Sequence, residues 1–327
     1  MLSFIAKRIM MMIPVLIIIS IISFVIINLP PGDYLTMKII ELQNQGGGSA
    51  RHAIEQLEKR YGLDRPLYVQ YLTWITNFVK GDFGQSFEYD REVRELIGQR
   101  FAYTVLISVG TLLFTWLIAL PLGIIAATHQ YSIIDQFLSF IGFIGMATPP
   151  FLLALVCMYV FVTKFGWSVG GLFSPEFVNA PWSWARLIDL LKHLLVPIIV
   201  LGMSGTAGLM RIMRGNLLDQ LGQQYVTTAR SKGLKEQIVI YRHAVRVAIN
   251  PLITIAGMSL PQIISGETIT SVVLNLPTIG PLFLRALIVQ DMYLAGSILM
   301  LMSVLLLIGN LLADIALVVA DPRIRYN

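Results

Sequence analysis

Residues 225–251 read YVTTARSKGLKEQIVIYRHAVRVAINP and lie between two apolar runs long enough to cross a membrane. This basic segment contains one acid, Glu236, and five permanently cationic side chains, Arg230, Lys232, Lys235, Arg242 and Arg246. Loops with such an excess of Lys and Arg stay on the cytoplasmic side of a membrane. The basic segment therefore sets the orientation of the spans on either side of it.

The second half of the basic segment has the spacing of an amphipathic helix. After Gly233, apolar residues recur at helical intervals, at Leu234, Ile238, Tyr241, Val245 and Ile249. The opposite stripe is cationic and consists of Lys235, Arg242 and Arg246. We therefore predict a two-faced cytosolic helix whose apolar face needs a surface to lie on.

The composition of the chain is that of a helical membrane protein with several spans. Of its 327 residues, 56% are hydrophobic and 13% charged, and the mean hydropathy is +0.72. These values exclude an ordinary soluble domain. The net charge of +5 is concentrated in loops, so it indicates topology rather than binding of nucleic acid. The single cysteine, Cys157, excludes a disulfide framework and a thiolate metal site.

Apolar windows of about 20 residues predict six transmembrane helices. They cover residues 9–29, 104–127, 137–162, 194–213, 252–274 and 294–319. The first is too long for a signal-peptide core and no small-residue cleavage site follows it, so we expect it to be retained. With Lys7 and Arg8 inside, both termini and the basic segment are cytoplasmic.

Two segments are then external. Residues 30–100 carry mixed charge, and helical spacing predicts short helices at 53–61 and 67–79, at the outer membrane interface. Residues 165–189 are rich in Gly, Pro and Trp and predict a turn-rich cap. We divide the chain into a cytosolic N-terminus with the first span (1–29), an external segment (30–100) and a transmembrane core (101–327) that contains the cytosolic loop 214–250.

Prolines inside the predicted spans are expected to kink helices, because each removes a backbone hydrogen bond that lipid cannot replace. They are Pro121, Pro149, Pro150, Pro197 and Pro261. A second interpretation is that Pro149, Pro150 and Pro261 bend helices around a polar passage. Both interpretations stay open on the sequence alone.

Motifs of catalysis are missing from the chain. It has no GxxxxGK[ST] phosphate loop and no HExxH zinc motif, so we expect neither ATP hydrolysis of the P-loop kind nor a metal site. Gly202-Met203-Ser204-Gly205 resembles the GxSx of intramembrane serine proteases. None of the four histidines lies near the middle of a predicted span, so Ser204 lacks a base. We expect no catalytic residue.

Glu267 is the ionisable residue predicted to lie deepest in a span. A charged side chain at such depth costs about 2.5 to 3.5 kcal/mol on insertion scales, so it needs a reason to be there. It is either a buried carboxylate satisfied by neighbouring hydroxyls or a polar group that lines a path or contacts a partner. Asp314 lies near the inner end of the last span, where we expect a structural role.

A series of short motifs in sequence order gives the chain a family resemblance. They are Pro31-Gly32-Asp33, Tyr61-Gly62-Leu63-Asp64-Arg65-Pro66, Gly81-Asp82-Phe83-Gly84-Gln85-Ser86 and the ending Asp321-Pro322-Arg323-Ile324-Arg325-Tyr326. With the basic first span, these motifs resemble the first of the two permease subunits of binding-protein-dependent ABC importers of the oligopeptide/dipeptide/nickel type. The resemblance runs along nearly the whole chain.

The resemblance implies that the basic segment is the EAA-type loop, whose short coupling helix docks into a groove of an ATPase subunit. The implied coupling residues are Thr227, Thr228, Ala229, Arg230, Ser231, Lys232, Gly233, Leu234 and Lys235. Two positions depart from the usual motif: Thr227 stands where the motif has an acid, and Arg246 where many relatives have a proline. For the translocation path, our candidates on the fifth span are Pro261, Gln262, Glu267 and Ser271.

The resemblance also implies a fold and an assembly. The fold is all-α, with six transmembrane helices in the type I ABC importer permease arrangement and an external helical insertion after the first span. The implied partners are a homologous second permease, two ATPases that bind ATP and Mg, an extracytoplasmic solute-binding protein and the lipid of a prokaryotic inner membrane. This chain itself needs no cofactor. The implied substrates are oligopeptides or oligosaccharides.

Two other function classes remain as alternatives. The first is an ion-coupled secondary carrier that uses Glu267, which would need no ATPase partner. The second is a membrane-bound enzyme that uses Ser204.

Overall fold

The structure is a computed structural model that describes residues 2–28, 65–167, 169–256 and 268–320. Within these ranges the chain is mostly helical. The helices are α1 (Leu2–Asn28), α2 (Leu67–Val79), α3 (Val93–Thr128), α4 (Ile133–Ala147), α5 (Pro150–Phe165), α6 (Trp184–Leu221), α7 (Gln224–Ser231), α8 (Glu236–Ala248), α9 (Asn250–Ala256), α10 (Thr268–Val273), α11 (Ile279–Ile288) and α12 (Met292–Ala320). A short antiparallel hairpin joins β1 (Gln85–Ser86) to β2 (Arg91–Glu92).

Four of the described helices, α1, α3, α6 and α12, are long and apolar enough to cross a membrane. The number rises to six if two bent pairs, α4 with α5 and α8 with α9, each count as one span. The all-α membrane fold is therefore confirmed, while six is the upper bound on the number of spans in the described ranges. At 36 and 38 residues, α3 and α6 exceed the roughly 20 residues that cross a bilayer.

The span predicted at 137–162 consists of two helices, α4 and α5, that meet at 98°. Thr148 precedes Pro149 and is extended, at φ −86° and ψ 120°, since a residue before proline disfavours the helical region. Pro150 then opens α5 at its first position, where a missing N–H costs no helical bond. The bend at the two prolines is thus confirmed, whereas α3 and α6 continue through Pro121 and Pro197.

Two compact units make up the chain, and each is described by itself. One unit contains residues 1–102 and 278–305, and the other contains residues 103–277 and 306–327. The division of the chain proposed from sequence, at residues 29/30 and 100/101, stays a prediction. The predicted helix at 53–61 lies outside the described residues, whereas the one at 67–79 is confirmed as α2.

In the first unit, α2 packs its aromatic side against α1 and α12. The ring of Trp74 is buried and lies 6.0 Å from that of Phe24 and 6.0 Å from that of Phe78, between centroids. The ring of Phe78 stacks on that of Phe83, with 4.8 Å between centroids, so the aromatic cluster extends to the residues before the hairpin. These contacts hold the motif 81–86 against the helices.

Asp291 anchors the hairpin to the start of α12. Its fully buried carboxylate accepts hydrogen bonds from Ser86 Oγ at 2.5 Å and from the backbone N–H groups of Glu88 at 3.2 Å and Leu294 at 3.1 Å. Burial raises the pKa of Asp291, and these donors oppose that rise only in part. Beside it, Arg285 donates to Glu88 Oε1 at 2.6 Å. The carboxylate therefore both caps a helix and fixes a loop.

In the second unit, the described part of the predicted cap at 165–189 is a turn-rich loop up to Ser183, and its last residues form the start of α6. The guanidinium of Arg186 lies 4.7 Å from the ring centroids of both Phe173 and Trp182 and donates to the carbonyl oxygens of Val178 and Ala180. Asp189 accepts from Ser174 Oγ at 2.6 Å and from Ser174 N–H at 2.8 Å. Contact of Arg186 with two aromatic rings gives this loop its own small core.

We predict that Gly84→Ala destabilises the protein more than Gly81→Ala. Both glycines have positive φ, +79° and +84°, so alanine at either costs about 1 to 2 kcal/mol of backbone strain. A Cβ on Gly84 would also collide with the ring of Tyr293, whereas one on Gly81 meets no atom within 4 Å. The measurement is the Tm of each purified variant, and equal losses would contradict the packing described for the hairpin.

Candidate functional site

The first half of the basic segment is α7, and its C-terminus closes with a Schellman motif. Gly233 N–H bonds to the Arg230 carbonyl at 2.9 Å, and Leu234 N–H bonds to the Ala229 carbonyl at 3.4 Å. Gly233 has φ +75°, the left-handed conformation that this motif requires and that favours glycine. The glycine of the predicted coupling motif is therefore the residue that turns the chain from α7 towards α8.

Two small apolar side chains hold α7 in place. Val226 and Ala229 are buried in a cluster with Met213 and Leu217 of α6 and with Val239 of α8. The cluster also includes the buried Ala244 and Ala248. It leaves one face of α7 and the following turn open to solvent. Of the nine predicted coupling residues, only Ala229 is buried; the exposed ones are Thr227, Thr228, Arg230, Ser231, Lys232, Gly233, Leu234 and Lys235.

An ion pair braces the turn between α7 and α8. Arg230 Nη2 lies 2.6 Å from Glu236 Oε1, and Arg230 Nε lies 3.2 Å from both carboxylate oxygens. Both side chains are about half exposed, so solvent screens the pair and its contribution to stability is small. Its effect is geometric, because the bond between Arg230 and Glu236 orients the turn. Lys232 and Lys235 are exposed cations of the same turn.

The apolar stripe predicted for the second half of the basic segment is divided between two faces in the structure. Residues Val239–Ala244 form a π-helical turn, which inserts an extra residue and rotates the face that follows it. Val239, Ala244 and Ala248 are buried, whereas Leu234, Ile238 and Tyr241 of the predicted apolar stripe are 39%, 39% and 59% exposed. These three members of the stripe therefore remain open to the surface that the sequence predicted the helix would need. Only its last members, Val245 and Ile249, pack partly against the cluster.

The exposed half of that stripe is part of the candidate site. Leu234, Ile238 and Tyr241 follow directly on the exposed face of α7 and are large apolar side chains open to solvent. Helical periodicity missed the buried alanines because it weighs large residues. The alanines at 229, 244 and 248 were the sequence signal for the buried face, since alanine lets helices approach closely.

The base of the site is tied to α6 by polar contacts. Asn216 Nδ2 donates to the carbonyl oxygen of Ala248 at 3.2 Å, where α8 ends. Tyr225 Oη donates to Gln220 Oε1 at 2.9 Å, across the junction of α6 and α7. The basic segment is therefore a folded extension of α6 rather than a flexible loop.

Of the predicted path residues, only Ser271 belongs to the described part of the chain. It lies on α10 and is 7% exposed. Pro261, Gln262 and Glu267 lie outside the described residues, so the path stays a prediction. Among the described residues, no group of three or more His, Cys, Asp or Glu side chains could hold a metal ion.

Comparison with known proteins gives the family of this multi-span helical protein. Residues 119–326 match the family described as "Binding-protein-dependent transport system inner membrane component", and residues 1–108 match the N-terminal family of such membrane components. The chain is 37% identical over 326 residues to the oligopeptide transport system permease protein AppB of Bacillus subtilis, covering 99% of both chains. It is 31% identical over 327 residues to the oligopeptide transport system permease protein OppB of Haemophilus influenzae, covering 100% of both chains.

These matches identify the multi-span helical chain as a membrane component of a transport system. The chain belongs to the family of binding-protein-dependent transport system inner membrane components, and it is a permease subunit of the ABC importer type. The resemblance drawn from its motifs is confirmed.

We predict that Gly233→Ala loosens the turn after α7. The left-handed φ strains alanine by about 1 to 2 kcal/mol, although its Cβ would meet no atom within 4 Å. Amide hydrogen exchange at residues 233 and 234 should therefore speed up, and Gly233→Asn should restore part of the protection because asparagine tolerates this conformation.

Gly215→Ala is the matched control for this turn. Gly215 is helical, and its added Cβ would also meet no atom within 4 Å, so protection at 233 and 234 should be unchanged. If both alanine variants exchange alike, the positive φ of Gly233 does not hold the turn.

Proposed function

We propose that this chain is a permease subunit that imports oligopeptides, using ATP hydrolysed by partner subunits that dock on the basic segment. The observation that carries the proposal is the two-sided construction of α7 and its turn. Buried Val226 and Ala229 fix the backbone, while every residue of the run 230–238 is exposed. A supported, exposed helix of this kind suits a partner that transmits force.

The proposed docking surface combines charge with apolar area. Lys232 and Lys235 supply exposed cations, and Leu234, Ile238 and Tyr241 supply exposed apolar side chains beside them. Apolar anchors surrounded by polar groups are typical of protein interfaces rather than of a solvated loop. The ATPase subunits implied by the family are the partners we propose for this surface.

The proposed mechanism needs no catalysis in this chain. ATP and Mg would be bound by the two ATPases, and their closure would push on α7. Because α7 packs on α6 through Met213 and Leu217, the push would reach a long apolar helix directly. A rigid-body movement of this kind would switch the permease pair between inward-facing and outward-facing states. We propose that Pro261, Gln262, Glu267 and Ser271 line the path.

Oligopeptides are the substrate class we propose. AppB and OppB are named as oligopeptide permeases, and each matches over essentially the full length of both chains. Neither name points to oligosaccharides or to an ion-coupled carrier that uses Glu267. A soluble binding protein would deliver the peptide from outside, and a second, homologous permease would complete the path.

The proposed location is the inner membrane of a prokaryote, with both termini in the cytoplasm. The family is one of inner membrane components, and the long apolar helices fit that location. The orientation rests on the cations of the basic segment and on Lys7 and Arg8 before the first span.

We predict that Lys232→Glu and Leu234→Asp each reduce copurification of the ATPase subunits by about tenfold or more, as expected for anchors of an interface. Both side chains are exposed, so the permease itself should fold and reach the membrane in normal amounts. The measurement is the ratio of ATPase to permease after purification from native membranes.

Lys164→Glu is the matched control for docking. Lys164 is an exposed cation in the last turn of α5, and the orientation proposed above puts it on the side of the membrane opposite the docking surface. Its charge reversal should leave the ratio unchanged. Normal ATPase recovery with both Lys232→Glu and Leu234→Asp would refute docking on this surface.

We predict that oligopeptides, and not oligosaccharides, stimulate ATP hydrolysis by the complex reconstituted with its binding protein. Uptake into liposomes should require ATP on the cytosolic face of the complex and should persist when ion gradients are collapsed. Uptake that follows an ion gradient without ATP would instead favour the carrier that uses Glu267.

A further inference from the structure

A buried ion pair joins the start of α4 to the C-terminal part of α6. Arg214 Nε lies 2.7 Å from Asp135 Oδ1, and Arg214 Nη2 lies 2.7 Å from Asp135 Oδ2. This is the bidentate geometry in which a guanidinium binds a carboxylate most strongly. Asp135 is 3% exposed and the Arg214 side chain is 25% exposed, so solvent reaches the pair only from the arginine side.

The carboxylate of Asp135 is also fixed by its own helix. Its Oδ2 accepts from Tyr131 N–H at 3.0 Å, and its backbone N–H bonds to the capping hydroxyl of Ser132 at 3.2 Å. A carboxylate in the first turn of a helix is further favoured by the helix dipole. Asp135 is thus held rigidly to α4, and whatever binds it is held to α4 as well.

The same turn of α6 holds the basic segment. Met213 and Leu217, on either side of Arg214, belong to the buried cluster that contains Val226 of α7. Asn216 donates to the carbonyl oxygen of Ala248 at the end of α8. Residues 213–217 therefore form a junction. They contact the basic segment through Met213, Leu217 and the side-chain amide of Asn216, and they bind α4 through Arg214.

Beyond the ion pair, α4 lies close along α6. A Cβ added to Gly142 would come within 3.1 Å of Met210 Cε, and one added to Gly145 would come within 3.6 Å of Ala207 Cβ. Small residues let two helix backbones approach closely, so α4 and α6 are in direct contact over this stretch. The far end of α4 leads into the bend at Pro149 and Pro150.

We propose that Asp135 and Arg214 are positioning residues that lock α4 to the base of α6, so that movement of the basic segment carries the bent pair α4/α5 with it. This inference rests on the proposed function, because it concerns how a movement imposed on α7 by the ATPases is transmitted to α4 and α5. The ion pair acts through the helices that it joins rather than through contact with substrate or nucleotide.

The first test is Asp135→Asn, with hydrolysis measured in the purified complex in the presence and absence of peptide-loaded binding protein. We expect the stimulated-to-basal ratio to fall about fivefold or more, the size of a typical coupling between sites, with complex yield and basal hydrolysis unchanged. Arg214→Lys, which keeps the charge but loses the bidentate contact, should give an intermediate ratio. Arg211→Gln removes an exposed arginine of the same helix and should match the parent.

The second test replaces the ion pair by a covalent bridge. In a Cys157→Ala background, Asp135→Cys with Arg214→Cys should lose stimulation, and a short bismaleimide joining the two thiols should restore it. A structural defect in assembly would not be reversed in this way. A bridged complex that cannot be stimulated, or an unbridged one that equals the parent, would overturn the proposal.

The two proposals fail in different ways. If the parent complex neither retains ATPases nor responds to peptide, the proposed function is wrong. If the parent responds and Asp135→Asn responds equally, the function stands and the locking role of the ion pair is wrong.

Discussion

The packing of Val226 and Ala229 against the base of α6 is the interaction on which the candidate site depends. Without it, α7 would be an eight-residue helix with no support, and helices that short are unstable in water. Burial of a valine side chain contributes about 1.5 to 3 kcal/mol, which helps to hold such a helix. Because the support comes from α6, the exposed face of α7 is fixed relative to a helix long and apolar enough to cross the membrane.

Much of the architecture could be predicted from the sequence. Long apolar windows located α1, α3, α6 and α12, and aromatic spacing located α2. These features depend on local composition, which a single sequence contains. The family could be recognised because motifs such as 81–86 serve a fold: Gly84 leaves room for Tyr293, and Ser86 bonds to Asp291 across 205 positions of chain.

Other features depend on contacts that the sequence does not display. The π-helical turn at Val239–Ala244 rotates α8 and divides the apolar stripe predicted from periodicity. Leu234, Ile238 and Tyr241 are exposed, whereas Val245 and Ile249 pack partly against the buried cluster. The 98° break in the predicted third span follows from Pro149 and Pro150, but a proline pair in a helix can also produce a milder kink. The partnership of Asp135 with Arg214 joins residues 79 positions apart and had no sequence signal.

The central claim is that α7 presents one fixed face to a cytosolic partner, and cysteine labelling tests it most directly. In a Cys157→Ala background, Thr228→Cys lies on the exposed face and Ala229→Cys on the buried one. In inside-out vesicles stripped of ATPase, an impermeant maleimide should label residue 228 and spare residue 229, and added ATPase should protect residue 228. Equal labelling of both positions, or labelling of residue 228 that the ATPase does not change, would contradict the claim.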